Sequence, residues 1–560
     1  MSDASLATAV IRAEPDAFDM AKVKLMGRQS AGHGFLRAAV RARGERPIYG
    51  FVPRASGAKA FEAIVRDIDP AASFEWIHSD QLNRVQDVGV LYLGDVTVAA
   101  HARLRQRAGL AAFSLCGVTH TTASHGAMDE IGALLREAVA PWDALICTST
   151  SVVETVRRVH EAEIDYQRWR FGADVRTSPP QLPMIPLGVH CDDFVFSEAD
   201  RAAGRAALGL QPDEIVGLFV GRLVFHAKAH PYPMLRAFQA ATERTGRRIA
   251  LIFSGWAPNP DVDEAFRAGA AAFAPDVRVI FVDGREAAMR RRVWAAADLF
   301  ASPSDNIQET FGLTPVEAMA AGLPVVVSDY DGYRDTVRDQ VDGFRIRTWA
   351  PGRGAGQAFA RAHESGAFTY DVYCWAAAAT TAVDVPAFAD AVCALVENSD
   401  LRKRMGEAGR RRAREVYDWP VVYRQYQQLW SDLNARRRAA IVDPALSAWI
   451  DAAPRAAPAR QDPFHVFGHY PTEEIGLATR LSLAPGATRS TLKAALDHPL
   501  FGALTTPTHV VEAYFAELEA GDITVAEAAA RLRTNAPTAA RTAGLLLKMG
   551  LAGVASSFGR

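Results

Sequence analysis

The feature that most constrains this chain is a series of short, nearly uninterrupted apolar runs that alternate with helix-like stretches and fall into two sets. The first set is AKVKLMG (21–27), PIYGFV (47–52), SFEWIH (73–78), VGVLYLG (88–94), AGLAAFSL (108–115) and DALICTS (143–149). The second is IVGLFVG (215–221), IALIFSG (249–255), VRVIFVD (277–283), DLFASPS (298–304) and PVVVSD (324–329). A strand that is apolar on both faces must be covered on both, and the intervening helices supply the cover, so the pattern predicts parallel sheets. Two sets predict an α/β protein with two Rossmann-like, doubly wound domains facing a cleft, joined around PMIPLGVHCDDF (183–194), with ligands at the carboxyl ends of the strands. The predicted boundaries are 1–194, 195–435, an Ala/Pro/Arg-biased linker over 436–462 and a mainly helical tail domain over 463–560.

At 560 residues the chain is too long for one ordinary core, and 49% hydrophobic with 22% charged residues excludes wholesale disorder. With 62 basic and 64 acidic residues, no global field draws it to nucleic acid or an anionic membrane. The opening MSDASLATAVIRAEPDAFDM lacks the basic and apolar regions of a signal peptide, and no run approaches the ~20 apolar residues of a spanning helix. The five cysteines, Cys116, Cys147, Cys191, Cys374 and Cys393, are odd in number and show no ligand-like spacing, so they read as buried thiols of a cytoplasmic protein.

Two segments carry chemistry. In SPSDNIQETFGLTPVEAMAAGLPVVVSD (302–329), a strand ends at Pro303 and a polar loop holds Asp305, Asn306 and Glu309 before Phe311, Gly312 and Leu313 lead into a helix. Thr314 is the expected cap, with Pro315 in the first position and Glu317 in the third. The start of that helix turns unpaired N–H groups toward the loop, a geometry that binds phosphate without a metal. Glu309 and Glu317 can both line one site; Glu317 is also open to a capping-box reading, and Glu309 to that of a solvated loop carboxylate. In FVGRLVFHAKAHP (219–231), Arg222 lies just past a strand end and Lys228 six residues on. Two cations there suit an anionic ligand such as a diphosphate, although a surface pair fits the same spacing. Only seven of the 62 basic residues are lysines, which makes Lys228 a poor candidate for filler.

Taken together, GR-x5-K, E-x7-E across ETFGLTPVE, and AAGLPVVVSD followed by DGF resemble glycosyltransferase family 4, the retaining group 1 enzymes of the GT-B fold. ICTST (146–150), IPLGVHCDDF (185–194) and LRKRMGEAGRRRAREVYDW (401–419) extend the resemblance over roughly residues 20 to 435. It implies transfer of a sugar from a nucleotide-diphosphate sugar, with retention, to an acceptor held by the first domain in polysaccharide, glycolipid or glycoprotein synthesis. Arg222 and Lys228, with the backbone at Gly312 and Leu313, would hold the diphosphate. Glu309 would act on the donor sugar as a catalytic residue beside Phe311, and Glu317 would bind the ribose. His120, in CGVTHTTASHG, takes the position of a second catalytic residue, with His125 nearby. GRQSAGHGF (27–35) resembles the glycine-rich loop that meets donor or acceptor, giving Gly32, His33 and Gly34 as candidates. It is not a dinucleotide fingerprint, and the absence of any Gly-Lys dipeptide excludes a Walker A loop. No cofactor and no catalytic metal are expected, since fixed cations and a helix dipole at the phosphate supply the neutralisation.

WAPGRGAGQAFARAHESGAFTYDVYCW (349–375) reads as an insertion, a lid or a surface loop. In the tail, Thr524 and Glu527 form a capping box before a helix, a break at Asn535-Ala536-Pro537 and a second helix, a winged-helix-like order. A basic excess of four over 524–560 is too small to predict nucleic-acid binding, which leaves packing or a protein partner. His465 and His469 with Glu473 or Glu474 read as an aromatic loop rather than a metal site. A cytoplasmic location, peripheral at the inner membrane face in one version, follows. The alternatives are an epimerase or phosphorylase on a GT-B scaffold, or a non-catalytic scaffold with a helix-turn-helix-like tail.

Overall fold

Twelve of the strands in the computed structural model are short and parallel, and most of them are buried. The structure describes residues 7–18, 27–172, 178–225, 227–458, 460–501 and 506–555, so the run at 21–26 lies outside the described residues. The first sheet contains β1 (Val10–Arg12), β2 (Ile48–Val52), β3 (Phe74–His78), β4 (Val90–Tyr92), β5 (Ser114–Val118) and β6 (Ala144–Ile146), in the order β3-β2-β1-β4-β5-β6. The second contains β7 (Ile215–Val220), β8 (Ile249–Gly255), β9 (Arg278–Asp283), β10 (Leu299–Ser302), β11 (Val325–Ser328) and β12 (Gly343–Ile346), in the order β12-β11-β10-β7-β8-β9. Counted from its own first strand, each sheet has the order 3-2-1-4-5-6, the doubly wound arrangement, and the two lobes together are the expected GT-B architecture. The order reverses between β1 and β4 in one lobe and between β7 and β10 in the other, which fixes where ligands can enter.

Three sequence expectations fail locally. AGLAAFSL is mostly the approach to a strand: Leu110 and Phe113 are buried in the turn before β5, and a short apolar run cannot by itself distinguish the two. GRQSAGHGF is not a loop but part of the helix Gly27–Ala42. Its glycines serve packing: a Cβ at Gly32 would strike the Ala17 carbonyl, and one at Gly34 would lie 2.5 Å from the Trp419 indole nitrogen. Third, 436–462 is not a linker through most of its length. The helix Trp419–Val442 runs into it and Pro444–Asp451 follows, with Leu446, Trp449 and Ile450 packed against Trp142 of the first lobe. The contact boundary falls later, between the units Met1–Ala457 and Pro458–Arg560.

The helix Trp419–Val442 returns from the second lobe to the first. Trp419, Tyr423, Tyr426, Trp430 and Leu433 enter the first lobe's core beside Phe35 and Tyr92. The crossing point is pinned by the backbone, Val189 N–H to the Tyr417 carbonyl at 2.8 Å and Trp419 N–H to the Val189 carbonyl at 3.1 Å. In the first lobe, Arg105 and Asp143 form an ion pair with no solvent exposure on either side chain. Asp143 also accepts the backbone N–H groups of Leu115 and Ala140, each at 2.8 Å, so both its oxygens are satisfied.

The 349–375 segment folds into two helices, Gln357–Glu364 and Tyr370–Ala378, between the paired strands β13 (Thr348–Trp349) and β14 (Ala382–Val383). The second unit contains the antiparallel sheet β16-β15-β17, made of β15 (Arg480–Leu483), β16 (Ile523–Thr524) and β17 (Ala552–Val554). Its helices Val525–Arg531 and Ala536–Lys548 start at the capping box of Thr524 with Glu527 and at an Asn535 cap, as the spacing predicts. All five cysteines are free and buried. No described helix is long and apolar enough to cross a membrane.

Replacing Trp419 by alanine is expected to remove about 3–5 kcal/mol from the two-lobed unit, because the indole is 2% exposed and packed against Gly34 and Gly188. Urea unfolding followed by tryptophan fluorescence and circular dichroism checks the loss.

Candidate functional site

β7 and β10 are neighbours, with Leu299 opposite Gly217 and Phe300 opposite Leu218, so the loops that follow them leave the sheet side by side. Arg222 and Lys228 ride on the first loop, and Asp305 through Thr310 form the second. Polar side chains fasten one loop to the other. Asn306 Nδ2 donates to the Lys228 carbonyl at 2.6 Å and Gln308 Nε2 to the Ala227 carbonyl at 3.3 Å, while Arg222 donates to Gln308 Oε1 at 3.4 Å. Asn306 Oδ1 in turn accepts the N–H groups of Gln308 and Glu309 and bends the loop so that Glu309 points back. There Lys228 Nζ meets Glu309 Oε2 at 3.0 Å, with both side chains largely buried.

Burial pushes the Glu309 carboxyl up, but the Lys228 charge and hydrogen bond and the N–H groups of Thr310 and Phe311 outweigh it, so Glu309 stays below the ordinary carboxylate range. Its neighbours go the other way. Burial raises Glu317 to about 7 against weaker opposing fields from Arg290 and Lys228. Burial also raises Asp305 to about 8, and its Oδ1 finds no hydrogen-bond partner in the structure. Asp331, in a left-handed conformation with φ 48°, is raised by burial and then by the charge on Glu309. The loop cluster therefore holds one firmly ionised carboxylate among three carboxyls biased toward the neutral form.

The helix Leu313–Ala321 begins two residues earlier than the capping signals suggest. Gly312 is its N-cap, at φ 92°, and no side chain bonds the first-turn N–H groups. Thr314 and Glu317 thus lie two positions too deep to cap, and the capping-box reading of Glu317 falls away. Glycine is required at 312 for the positive φ and because a Cβ there would strike the Tyr333 ring. Tyr333 itself is anchored through a 2.9 Å bond between its hydroxyl and Ser302 Oγ. Phe311 is 2% exposed and packs edge-on against Tyr417 at 5.9 Å, so only its backbone is available to a ligand.

The first lobe contributes the loop after β5. The His120 carbonyl accepts the Thr310 hydroxyl, a direct tie between the lobes, and His120 Nε2 lies 2.9 Å from the Gly94 carbonyl. A second tie holds the start of the helix Thr150–Phe171: Asp335 accepts Thr150 N–H at 2.7 Å and Thr150 Oγ1 at 2.9 Å. The structure thus gathers Arg222, Lys228, Glu309, Gly312, Leu313, Glu317 and the His120 loop around one crevice. Gly32, His33 and Gly34 belong instead to a helix interior; His33 Nδ1 faces the Phe18 carbonyl at 3.3 Å. His125 is used in another contact, with His363. Sequence reasoning missed Asp331 and Tyr333; their signal was the Tyr-Asp-Gly-Tyr turn that follows β11. No group of three potential metal ligands occurs among the described residues.

The family model described as glycosyl transferases group 1 matches residues 200–350. The D-inositol 3-phosphate glycosyltransferase of Segniliparus rotundus is 31% identical over 243 residues, which covers 42% of this chain and 51% of that protein. The enzyme of the same name from Nocardia farcinica is 33% identical over 193 residues, 33% of this chain and 41% of that one. The chain thus spans about half the length of the curated relatives it matches. Among solved structures, Anabaena Alr3699/HepE in complex with UDP aligns with a TM-score of 0.45 and 16% identity over 73% of this chain and 98% of that one. Sucrose-phosphate synthase from Thermosynechococcus elongatus aligns with a TM-score of 0.45 and 16% identity over 76% and 99%.

The raised Glu317 has a testable sign. A carboxyl whose folded value is about 7 against an ordinary 4.5 opposes folding progressively as pH rises between those values, and by a constant amount above them. Glu317→Gln is therefore expected to be more stable than the parent at pH 8, with the advantage shrinking toward pH 5; thermal melts across that range measure it.

Proposed function

We propose that the chain is a glycosyltransferase that moves a sugar, with retention, from a nucleotide-diphosphate sugar to an acceptor on the first-lobe side of the crevice. The observation that carries this reading is the Lys228–Glu309 pair at the β7/β10 switch point, flanked by Arg222 and by a helix start that no side chain caps. Breaking the bond between the anomeric carbon and the diphosphate leaves negative charge on the leaving oxygen and positive charge on the sugar. Lys228, Arg222 and the N–H groups from Gly312 and Leu313 meet the first charge, and Glu309 meets the second. Fixed cations and a helix dipole supply the neutralisation that a divalent metal gives other transferases, so we assign no metal to the step. In this scheme Lys228 exchanges Glu309 for the diphosphate when the donor binds, and Glu317 and His120 take the ribose and sugar contacts.

The group 1 match over 200–350 supports the donor half of the assignment, since it spans both site loops. The relatives' name puts a phosphorylated polyol first among acceptors to try, ahead of polysaccharide, lipid-linked and protein acceptors. The buried thiols fit a reducing compartment. A protein partner for the tail is a further part of the proposal, argued from its separate core alone.

A thermal-shift screen of UDP-, GDP- and ADP-sugars tests the reading, because a true donor stabilises the fold by mass action. Lys228→Ala is expected to weaken the donor about 10–100-fold, the size of a charge-assisted contact, and to slow transfer with it. Glu309→Ala should mainly reduce turnover, about 10²–10³-fold. Unchanged kinetics in both variants would reject the assignment, and the anomeric configuration of the product, read by NMR, decides retention.

A further inference from the structure

The excursion between β12 and the helix Val385–Glu397 plays no part in the scheme above. Its ends are tied together, Thr348 opposite Val383 and Trp349 opposite Ala382, so it leaves and rejoins the second lobe at one place. Its two helices nevertheless reach the first lobe. His125 Nε2 lies 2.6 Å from the His363 carbonyl, and the two imidazoles stand 3.9 Å apart. Tyr373 stacks on the buried His363 at 4.3 Å and 5°, which packs this end of the excursion. Tyr370, at the start of the second helix, then places its hydroxyl 3.2 Å from Thr121 Oγ1.

That position is informative. Thr121 follows His120, whose carbonyl is held by Thr310 in the Glu309 loop, and Arg222 is near enough for its charge to act on the Tyr370 phenol. Tyr370 therefore stands where the loops after β5, β7 and β10 converge. Burial keeps the phenol protonated, and a hydroxyl is both donor and acceptor, so the Tyr370–Thr121 pair matches the chemistry of a sugar hydroxyl. The bond the two groups make with each other is one that a ligand hydroxyl can replace without leaving either group unsatisfied.

We propose that Tyr370 and Thr121 are specificity-determining residues that bind the hydroxyls of the donor sugar, and that the 348–383 excursion exists to bring Tyr370 into the crevice. The proposal rests on the donor-site reading above. It makes the excursion a wall of the sugar pocket, distinct from the diphosphate contacts of Lys228 and Arg222.

Calorimetric titration of the full chain with UDP-glucose, GDP-mannose and ADP-glucose, each beside its own nucleoside diphosphate, tests it in the parent, Tyr370→Phe and Thr121→Val. Each variant is expected to weaken the nucleotide sugar about 5–10-fold, the worth of one hydrogen bond, with the bare diphosphate unchanged within about twofold. Equal weakening of both ligands would mean that the excursion only holds the lobes together, and no weakening would mean that the hydroxyls touch nothing; either overturns the proposal. A parent chain that binds none of the six ligands overturns the donor-site reading itself. Melting temperatures identify a variant that has lost its fold, and two independent substitutions keep the comparison decisive.

Discussion

The parallel pairing of β7 with β10 brings two loops that are 81 residues apart in sequence to a single point, Lys228 Nζ against Glu309 Oε2. The pairing follows from the doubly wound order, in which the strand after the third crossover returns to lie beside the first. Everything at the crevice depends on it. The side chains of Asn306 and Gln308 can only reach the carbonyls of Lys228 and Ala227 because the sheet has already set the loops at hydrogen-bonding distance.

Burial then decides the charge state. Four carboxyls cluster around or beside these loops, and the one in contact with Lys228 stays ionised while Glu317, Asp305 and Asp331 are pushed up. A loop cluster arranged in this way carries less negative charge than its composition suggests. The near-zero net charge of the chain conceals this local balance.

The lobes are held in relation to one another by contacts of a different kind. Trp419 carries the chain back across the junction, and the glycines at 34 and 188 leave room for its indole. Small polar ties, Thr310 to His120 and Thr150 to Asp335, join the carboxyl ends of the two sheets. The 348–383 excursion adds a third bridge through Tyr370 and His363. Apolar contacts thus hold the back of the junction, and exchangeable hydrogen bonds line its front.

The sequence by itself determined the fold class and pointed to the two loops, after β7 and β10, that the sheet brings together. Apolar runs recurring between helical stretches point to parallel strands, and Arg222, Lys228 and Glu309 lie in the loops that follow β7 and β10. Tertiary structure decided the rest. Gly32 and Gly34 look like loop residues in sequence because glycine is permissive, yet here they let a helix meet Ala17 and Trp419 closely. The 436–442 stretch looks like a linker by composition, but Arg437 and Ala440 are buried against the first lobe. The Tyr-Asp-Gly-Tyr turn marks Asp331 and Tyr333 only as turn residues, and Tyr370 carries no local motif; their significance comes from folding partners distant in sequence, Glu309, Gly312 and Thr121.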